Sequence, residues 1–255
     1  MRLIVTRPPA QAAAWVQALA ALGQDAVALP LIGIGPAPDA GAVRTAWQRL
    51  PGCALAMFVS ANAVQQFFAL ADAPWPPGVL AGATGPGTVA ALLEAGVPAA
   101  AVVAPPADAP SFDSEALWQQ LTSRDWTGRQ VLVLRGEDGR DWLADTLRAR
   151  GAEVSFVAAY RRLPPQAGTE VQALLSAAQA DSRAWLWHFS SSEAVGHLQA
   201  LVPAARWGAS GAIASHPRIA QAALDAGFGH VELAAPTPEA VAALAARWPS
   251  IHSAA

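Results

Sequence analysis

The chain has 255 residues, a length that accommodates two domains of ordinary size. Hydrophobic residues make up 53% and charged residues only 14%, which excludes a disordered chain, and the net charge of −3 gives no electrostatic basis for binding nucleic acid or an anionic membrane. All sixteen Lys and Arg positions are arginine, so Schiff-base chemistry and the phosphate-binding lysine of a P-loop are excluded.

Short apolar runs alternate with amphipathic stretches along the chain. The apolar runs predict strands at Leu3–Val5, Ala26–Leu29, Ala54–Val59, Val131–Leu134, Val154–Ala158 and Trp185–Phe189. The spacing of apolar residues between them predicts helices at Gln11–Leu22, Ala61–Leu70, Thr88–Ala95, Asp141–Arg150, Glu193–Leu201 and Ile219–Ala226. Strands that alternate with helices indicate parallel sheets covered on both faces, so we expect an α/β fold.

The second half of the chain repeats the first. The run FVSANAV at 58–64 resembles FSSSEAV at 189–195, and LIVTR at 3–7 resembles VLVLR at 131–135. We interpret this as an internal duplication in the order A, B, A′, B′, with chance similarity among alanine-rich helices as the alternative. The four segments cover about 1–33, 36–120, 130–160 and 165–250.

Two linkers, 33–38 and 161–165, separate these segments. They suit two lobes joined by a pair of crossing strands that act as a hinge, with a small polyanionic substrate bound between the lobes. Each segment is too short to close a sheet alone, so the segments must combine in pairs. The residues leave open whether A pairs with B or with B′.

Three features bear on the compartment. Cys53 is the single cysteine, which precludes an internal disulfide and fits a reducing cytosol. The chain enters a strand at once and shows no signal peptide. Residues 73–93 carry no charge, but four prolines interrupt them, so they predict loop, strand, turn and helix start rather than a transmembrane helix. We expect a cytoplasmic protein.

The loops after the strands are rich in hydroxyl groups, glycine and arginine. In a parallel sheet such loops share one edge, where helix N-termini offer free N–H groups to carboxylates or phosphates. Each loop alone is better explained as a helix N-cap, so their number is what favours a binding site. The candidate binding residues are Thr6, Arg7, Ser60, Asn62, Gly87, Thr88, Arg135, Gly136, Arg140, Ser190, Ser191, Ser192, Ser215, His216 and Arg218.

Tyr160 is the only tyrosine and ends a strand beside the proposed hinge. It is either a strand-end residue with its hydroxyl in water or a proton or hydrogen-bond donor at the mouth of a cleft. The five histidines never have metal-ligand spacing, and we interpret His188 as a core residue. We therefore expect no metal.

Several short motifs, in order, resemble the uroporphyrinogen-III synthase family. They are IVTRP at 4–8, FVSANAV at 58–64, GPGT at 85–88, DSEAL at 113–117, the loop from Leu134 to Arg140, Gly151, Tyr160, FSSSEAV at 189–195, SHPRIAQAA at 215–223 and Gly227 with Phe228. Each motif alone is weak, but their order and spacing cover nearly the whole chain. The motif DSEAL adds Ser114 to the candidate binding residues.

The resemblance implies two α/β lobes joined by a two-stranded ladder, with hinge strands near 31–38 and 157–164. Residues 1–33 and 165–255 would form the first lobe, and 36–160 the second. The family closes the linear tetrapyrrole hydroxymethylbilane and inverts its last ring, through a spiro intermediate and without cofactor or metal. The product, uroporphyrinogen III, leads to haem, sirohaem and cobalamin.

The resemblance also implies roles for individual residues. Tyr160 matches a tyrosine to which acid–base assistance is attributed, and Thr88 and Ser190 match substrate-binding positions. Arg218 stands where other members have threonine, so it would supply a different carboxylate contact. We expect a monomer that makes transient contact with hydroxymethylbilane synthase.

Two other function classes remain open from the residues. One is a non-catalytic two-lobed binding or sensor module for a small polyanion, since hinged α/β lobes also bind anions without doing chemistry. The other is a nucleotide-using transferase, against which the missing lysine and missing acidic metal ligands argue.

Overall fold

The structure is a computed structural model that describes residues 1–109 and 111–252, with side chains described up to residue 248. The main-chain contacts divide the chain into two compact units. Unit 1 contains Met1–Gly33 and the chain from Leu163 onward, and unit 2 contains Ile34–Arg162. Unit 1 is therefore built from two separate stretches of sequence.

The elements follow one another as alternating strands and helices. The chain begins with β1 (Arg2–Val5), α1 (Pro9–Ala21), β2 (Ala26–Ala28) and β3 (Gly33–Gly35). It continues with α2 (Ala40–Arg49), β4 (Leu55–Phe58), α3 (Ala61–Phe68), β5 (Leu80–Ala83), α4 (Pro86–Glu94), β6 (Val102–Val103), α5 (Ser114–Gln119), β7 (Gln130–Arg135), α6 (Trp142–Ala149) and β8 (Glu153–Ala158). The last elements are β9 (Arg161–Leu163), α7 (Thr169–Ala180), β10 (Trp185–Phe189), α8 (Ser192–Leu201), β11 (Gly211–Ala214), α9 (Pro217–Asp225), β12 (His230–Leu233) and α10 (Pro238–His252).

Each unit contains a five-stranded parallel sheet. The strand order is β12-β11-β10-β1-β2 in unit 1 and β6-β5-β4-β7-β8 in unit 2. The two orders are the same when β10 is matched to β4 and β1 to β7, as the repeat of segments A and B predicts. Strands β3 and β9 form a separate two-stranded antiparallel sheet. The prediction of two parallel-sheet lobes and a two-stranded ladder is confirmed.

Two glycines at equivalent places in the repeat end helices α4 and α9. Gly96 and Gly227 have φ angles of 89° and 93°, in the left-handed region that glycine adopts without steric cost. The backbone N–H of each donates to a carbonyl three residues earlier in its helix. The chain can therefore turn sharply and enter the next strand.

The central strands are buried on both faces, as parallel strands covered by helices should be. In unit 2, Phe58 packs with Trp47 and Phe67 on one face of the sheet, and Met57 packs with Trp118 on the other. In unit 1, Leu186 lies in one cluster with the α1 and α10 side chains. On the opposite face, Trp187 and Phe189 pack with Trp207 and Phe228. None of the described helices is long and apolar enough to span a membrane.

Candidate active site

The carboxyl ends of four adjacent strands in unit 2 bring eight predicted residues to one edge of the sheet or to the helices that follow it, and a ninth begins the helix after the neighbouring strand β6. Strands β5, β4, β7 and β8 lie side by side in that order. The residues are Ser60 and Asn62 after β4, Gly87 and Thr88 after β5, Arg135, Gly136 and Arg140 at the end of β7 and beyond, Tyr160 after β8, and Ser114 at the start of α5.

Tyr160 is buried, with 3% of its surface exposed. The Ser60 hydroxyl donates a hydrogen bond to the phenol oxygen over 3.3 Å, and Ser60 Oγ itself accepts from the Ala63 N–H as the N-cap of α3. A hydroxyl group can accept and donate at once, so the phenol can offer a proton to a ligand while it is bonded to Ser60. The interpretation of Tyr160 as a strand-end residue with its hydroxyl in water is wrong, because the β7–α6 loop and Ser60 enclose it.

Gly136 lies directly against the Tyr160 ring. A Cβ atom at residue 136 would be 3.2 Å from the ring carbon Cζ and 3.5 Å from the phenol oxygen. Such a contact is tighter than side chains normally make, so the ring would have to shift by a few tenths of an ångström. Gly136 therefore sets the position of the phenol rather than contributing a contact of its own.

Arg135 and Arg140 already have carboxylate partners in unit 2. Arg135 forms an ion pair with Asp141, and its guanidinium lies 4.1 Å from the centre of the Phe156 ring. Arg140 forms an ion pair with Glu115. A substrate carboxylate would have to compete with these internal partners, so the two arginines are less available than their sequence positions suggested.

The start of α4 is more available for an anion. Its N-cap is Gly85, which has no side chain to accept from the N–H groups of the first turn. Thr88 in that turn is 6% exposed, and Asn62 in the first turn of α3 is 8% exposed. An uncapped helix start carries partial positive charge, which favours a carboxylate.

Three adjacent strands of unit 1 carry the remaining predicted residues. Thr6 and Arg7 follow β1, Ser190, Ser191 and Ser192 follow β10, and Ser215, His216 and Arg218 follow β11. The six loops singled out in the sequence are thus divided equally between the two parallel sheets. In each unit, every one of them lies at the carboxyl end of its sheet.

Some of these side chains have structural roles. The Thr6 hydroxyl, 1% exposed, donates to the backbone oxygen of His188 over 2.8 Å and joins β1 to β10. Ser191 caps α8, and His216 Nδ1 accepts from the Arg218 N–H at the start of α9 over 3.1 Å. The N-cap explanation is therefore correct for Ser191 and His216. The Arg218 side chain is exposed and has no partner among the described residues.

Arg7 and His188 lie together on the Trp15 ring. The Arg7 guanidinium is 4.0 Å from the centre of that ring, and burial lowers the pKa of Arg7 to about 10. The imidazole of His188 is fully buried and stacks on Trp15 with ring centres 4.5 Å apart. Burial, and secondly the Arg7 charge, lowers the pKa of His188 to about 3, so its ring is neutral at physiological pH. The expectation that His188 is a core residue is confirmed.

Sequence reasoning missed Trp15 as a neighbour of the site. The only signal was a second tryptophan, Trp142, one residue from the equivalent position in the repeat, which carries no chemistry by itself. Among the described residues, no group of three or more His, Cys, Asp or Glu side chains is arranged to hold a metal ion.

The fold and these edges define a duplicated two-unit α/β protein, in which each parallel sheet presents hydroxyl groups, arginines and helix N-termini at its carboxyl end. The chain belongs to the uroporphyrinogen-III synthase family. The family profile, described as uroporphyrinogen-III synthase HemD, matches residues 13–243. The alternative of a non-catalytic binding or sensor module is not favoured by membership of this family.

Individual relatives agree with the family profile. The uroporphyrinogen-III synthase of Salmonella typhimurium is 34% identical over 167 residues, which are 64% of this chain and 65% of the relative. That of Escherichia coli K12 is 33% identical over 165 residues, again 64% of this chain and 65% of the relative. The chain therefore matches slightly less than two thirds of the length of these relatives.

Two solved structures share the fold over nearly the whole chain. A mutant uroporphyrinogen III synthase from the extremely thermophilic bacterium Thermus thermophilus has a TM-score of 0.56 at 19% identity and covers 98% of both chains. The uroporphyrinogen-III synthetase from Helicobacter pylori has a TM-score of 0.55 at 15% identity and covers 97% of this chain and all of the other. At these identities the similarity establishes the fold.

Proposed function

We propose that this protein is a cyclising lyase that converts hydroxymethylbilane into uroporphyrinogen III, with inversion of the last pyrrole ring, in tetrapyrrole biosynthesis. One observation of the site carries the proposal. At the carboxyl edge of unit 2, the buried hydroxyl of Tyr160 is hydrogen-bonded to Ser60, and a phenol in such a pair can donate its own proton to a ligand. This is the group that the loss of the substrate hydroxyl needs, in a chain that belongs to the corresponding family.

The substrate carries eight carboxylates, and the protein offers several kinds of donor for them. Arg218 is exposed and unpaired among the described residues, and Arg7 has no carboxylate within ion-pair distance in that part of the chain. The uncapped start of α4 adds N–H groups near Thr88. Arginine is suited to this task because its planar fork matches a carboxylate with two parallel hydrogen bonds.

The chemistry begins with the loss of the terminal hydroxyl group. Tyr160 donates a proton to this hydroxyl, which leaves as water and produces an electrophilic azafulvenium cation. The substituted carbon of the last pyrrole then attacks and forms a spiro intermediate, which reopens and closes in the inverted direction. A final deprotonation restores the aromatic pyrrole, so no net proton is consumed.

Most of the selectivity comes from positioning. Hydroxymethylbilane closes spontaneously end to end to give isomer I, so the protein must hold the chain in the curled form that leads to isomer III. Fixing two reacting centres in the correct geometry removes a large entropic part of the barrier. Phenols are weak acids, so the contribution of Tyr160 is modest beside this effect.

We also propose that the protein acts as a cytoplasmic monomer without a cofactor or metal, and that it receives its substrate in transient contact with hydroxymethylbilane synthase. The spontaneous closure supports rapid transfer, because free hydroxymethylbilane is lost to isomer I. The single cysteine fits a reducing compartment such as the cytoplasm.

The proposal is tested by a coupled assay. Hydroxymethylbilane is generated by its synthase, the protein is added, and the oxidised porphyrin isomers are separated by chromatography, with a heat-unfolded sample as control. Isomer III in place of isomer I is the expected result. Isomer I alone, from protein whose circular dichroism shows it to be folded, would refute the activity and favour a binding module.

A further inference from the structure

The duplication supplies two equivalent arginines with different surroundings. Arg7 and Arg135 occupy equivalent places in the repeat: Arg7 lies two residues after β1, and Arg135 is the last residue of β7. Arg135 is neutralised by Asp141. Among the described residues no carboxylate lies within ion-pair distance of Arg7. Its guanidinium makes one long hydrogen bond, from Nη1 to Gln11 Oε1 at 3.4 Å, and its Nε is buried without a partner.

The Arg7 guanidinium is nevertheless held in place. It lies 4.0 Å from the centre of the Trp15 ring, which stacks on His188 with an interplanar angle of 11°. His188 is part of the central strand β10 and is fully buried, with both ring nitrogens unpartnered in the described part of the chain. Trp15 is thus supported by the sheet itself and presents a flat surface to Arg7.

The equivalent arrangement is missing from the other repeat. Trp142, one residue from the position equivalent to Trp15, is 38% exposed, and Arg135 lies over Phe156 instead. Arg2, at the opposite end of β1, also lies over a tryptophan, Trp185, but it is paired with Asp25 at 3.0 Å. Arg7 differs from both of these arginines because it is stacked and yet has no internal counter-charge.

The start of α1 adds to the positive potential beside Arg7. The N-cap of this 13-residue helix is Pro8, which has no capping side chain, so no side chain occupies the N–H groups of the first turn. A helix start and an uncompensated guanidinium therefore adjoin in sequence and in space. Partly buried positive charge without a partner is costly, and an anionic ligand removes that cost.

We propose that Trp15, supported by the stacked ring of His188, is a positioning residue that holds the Arg7 guanidinium flat, so that its terminal N–H groups bind one carboxylate of the substrate. The inference rests on the proposed function, because the carboxylate is one of the eight on hydroxymethylbilane. It assigns Arg7 rather than Arg135 as the carboxylate-binding arginine of the repeated pair.

The kinetic test separates binding from chemistry. In initial-rate assays with freshly prepared hydroxymethylbilane, we expect Arg7→Gln to raise KM about tenfold and Trp15→Leu about fivefold, with kcat changed less than twofold. Trp15→Phe keeps an aromatic face and should restore KM to within about twofold of wild type. Arg2→Gln is the matched control, since it removes a stacked arginine from the other end of β1, and it should leave both constants unchanged.

A second readout does not depend on turnover. Protons near the Arg7 guanidinium lie over an indole face, so NMR should show their signals shifted upfield in wild type, retained in Trp15→Phe and lost in Trp15→Leu. An unchanged KM in Trp15→Leu, or equal losses in the Phe and Leu variants, would refute the positioning role while wild type still makes isomer III. Failure of wild type to make isomer III would refute the proposed function, and with it the carboxylate assigned to Arg7. The NMR comparison would still decide whether Trp15 holds the guanidinium in place.

Discussion

Replacement of Tyr160 by phenylalanine removes the proposed proton donor and little else. The ring stays between Gly136 and the core of unit 2, and only the phenol oxygen and its 3.3 Å contact with Ser60 are lost. That contact is longer than the usual 2.7–2.8 Å between hydroxyl groups, and Ser60 keeps its bond to the Ala63 N–H. We therefore expect a loss of about 0.5–1 kcal/mol in the free energy of unfolding, or about 2 °C in Tm.

Turnover should fall much more than stability. A positioned proton donor contributes at most a few orders of magnitude, and a phenol is a weak one, so we expect kcat to fall about tenfold with KM nearly unchanged. The assay is the separation of porphyrin isomers at saturating hydroxymethylbilane. Ser155→Ala, which removes a hydroxyl from β8 away from the site, is the matched control and should keep wild-type kcat.

The result that would refute this reasoning is wild-type turnover in folded Tyr160→Phe. In that case the proton would come from water or from the substrate itself, and catalysis would rest on positioning alone. A large rise in KM with unchanged kcat would instead make Tyr160 a binding residue.

Three further predictions concern other parts of the molecule. Arg218→Ala should raise KM about fivefold, because the exposed guanidinium has no partner among the described residues and is free to bind a substrate carboxylate. The value of kcat should not change, since the variant keeps the backbone N–H that is bonded to His216. An unchanged KM would show that Arg218 does not bind the substrate. The pKa of His188 is lowered by burial from 6.5 to about 3, so the unfolded chain binds an extra proton between these values and stability falls as the pH is lowered through that range. Chemical denaturation should show wild type losing about 2 kcal/mol more than His188→Leu between pH 7 and pH 5, and equal losses would contradict the buried neutral imidazole. At Gly229, a Cβ atom would lie 1.9 Å from the backbone oxygen of Gly208, so Gly229→Ala should cost about 3 kcal/mol in thermal unfolding, whereas Gly208→Ala, with open space around its Cβ, should cost less than about 1 kcal/mol.

The strands that lie at the centres of the two sheets were predictable from local pattern. Strands β1, β4, β7 and β10 are buried on both faces and appear as apolar runs, such as Leu55–Phe58 and Trp185–Phe189. Helices with a clear apolar face, such as α6 and α9, were predicted for the same reason. The hydrophobicity of each residue indicates whether it is buried, so these strands and helix faces can be predicted without the tertiary structure.

Other elements gave too little local signal. Strand β11, Gly211–Ala214, contains mostly glycine and alanine, and the edge strands β6 and β12 are short and only partly buried. Helices α7 and α10 are rich in alanine, which is compatible with both the buried and the exposed face and weakens the helical period. These elements are stabilised by neighbours that are distant in sequence. A short stretch of sequence does not include those neighbours, so it cannot predict the element.

The candidate site divides in the same way. The sequence by itself determined which loops carry hydroxyl groups and arginines, since a residue that follows a parallel strand lies at the carboxyl edge wherever that strand is placed. Only the tertiary structure decided which of these side chains are available. It joins Ser60 to Tyr160 across 100 positions, pairs Arg135 with Asp141, and places Trp15 and His188 beside an unpaired Arg7. Charge compensation and burial depend on contacts between strands and helices far apart along the chain, which the local pattern of residues does not contain.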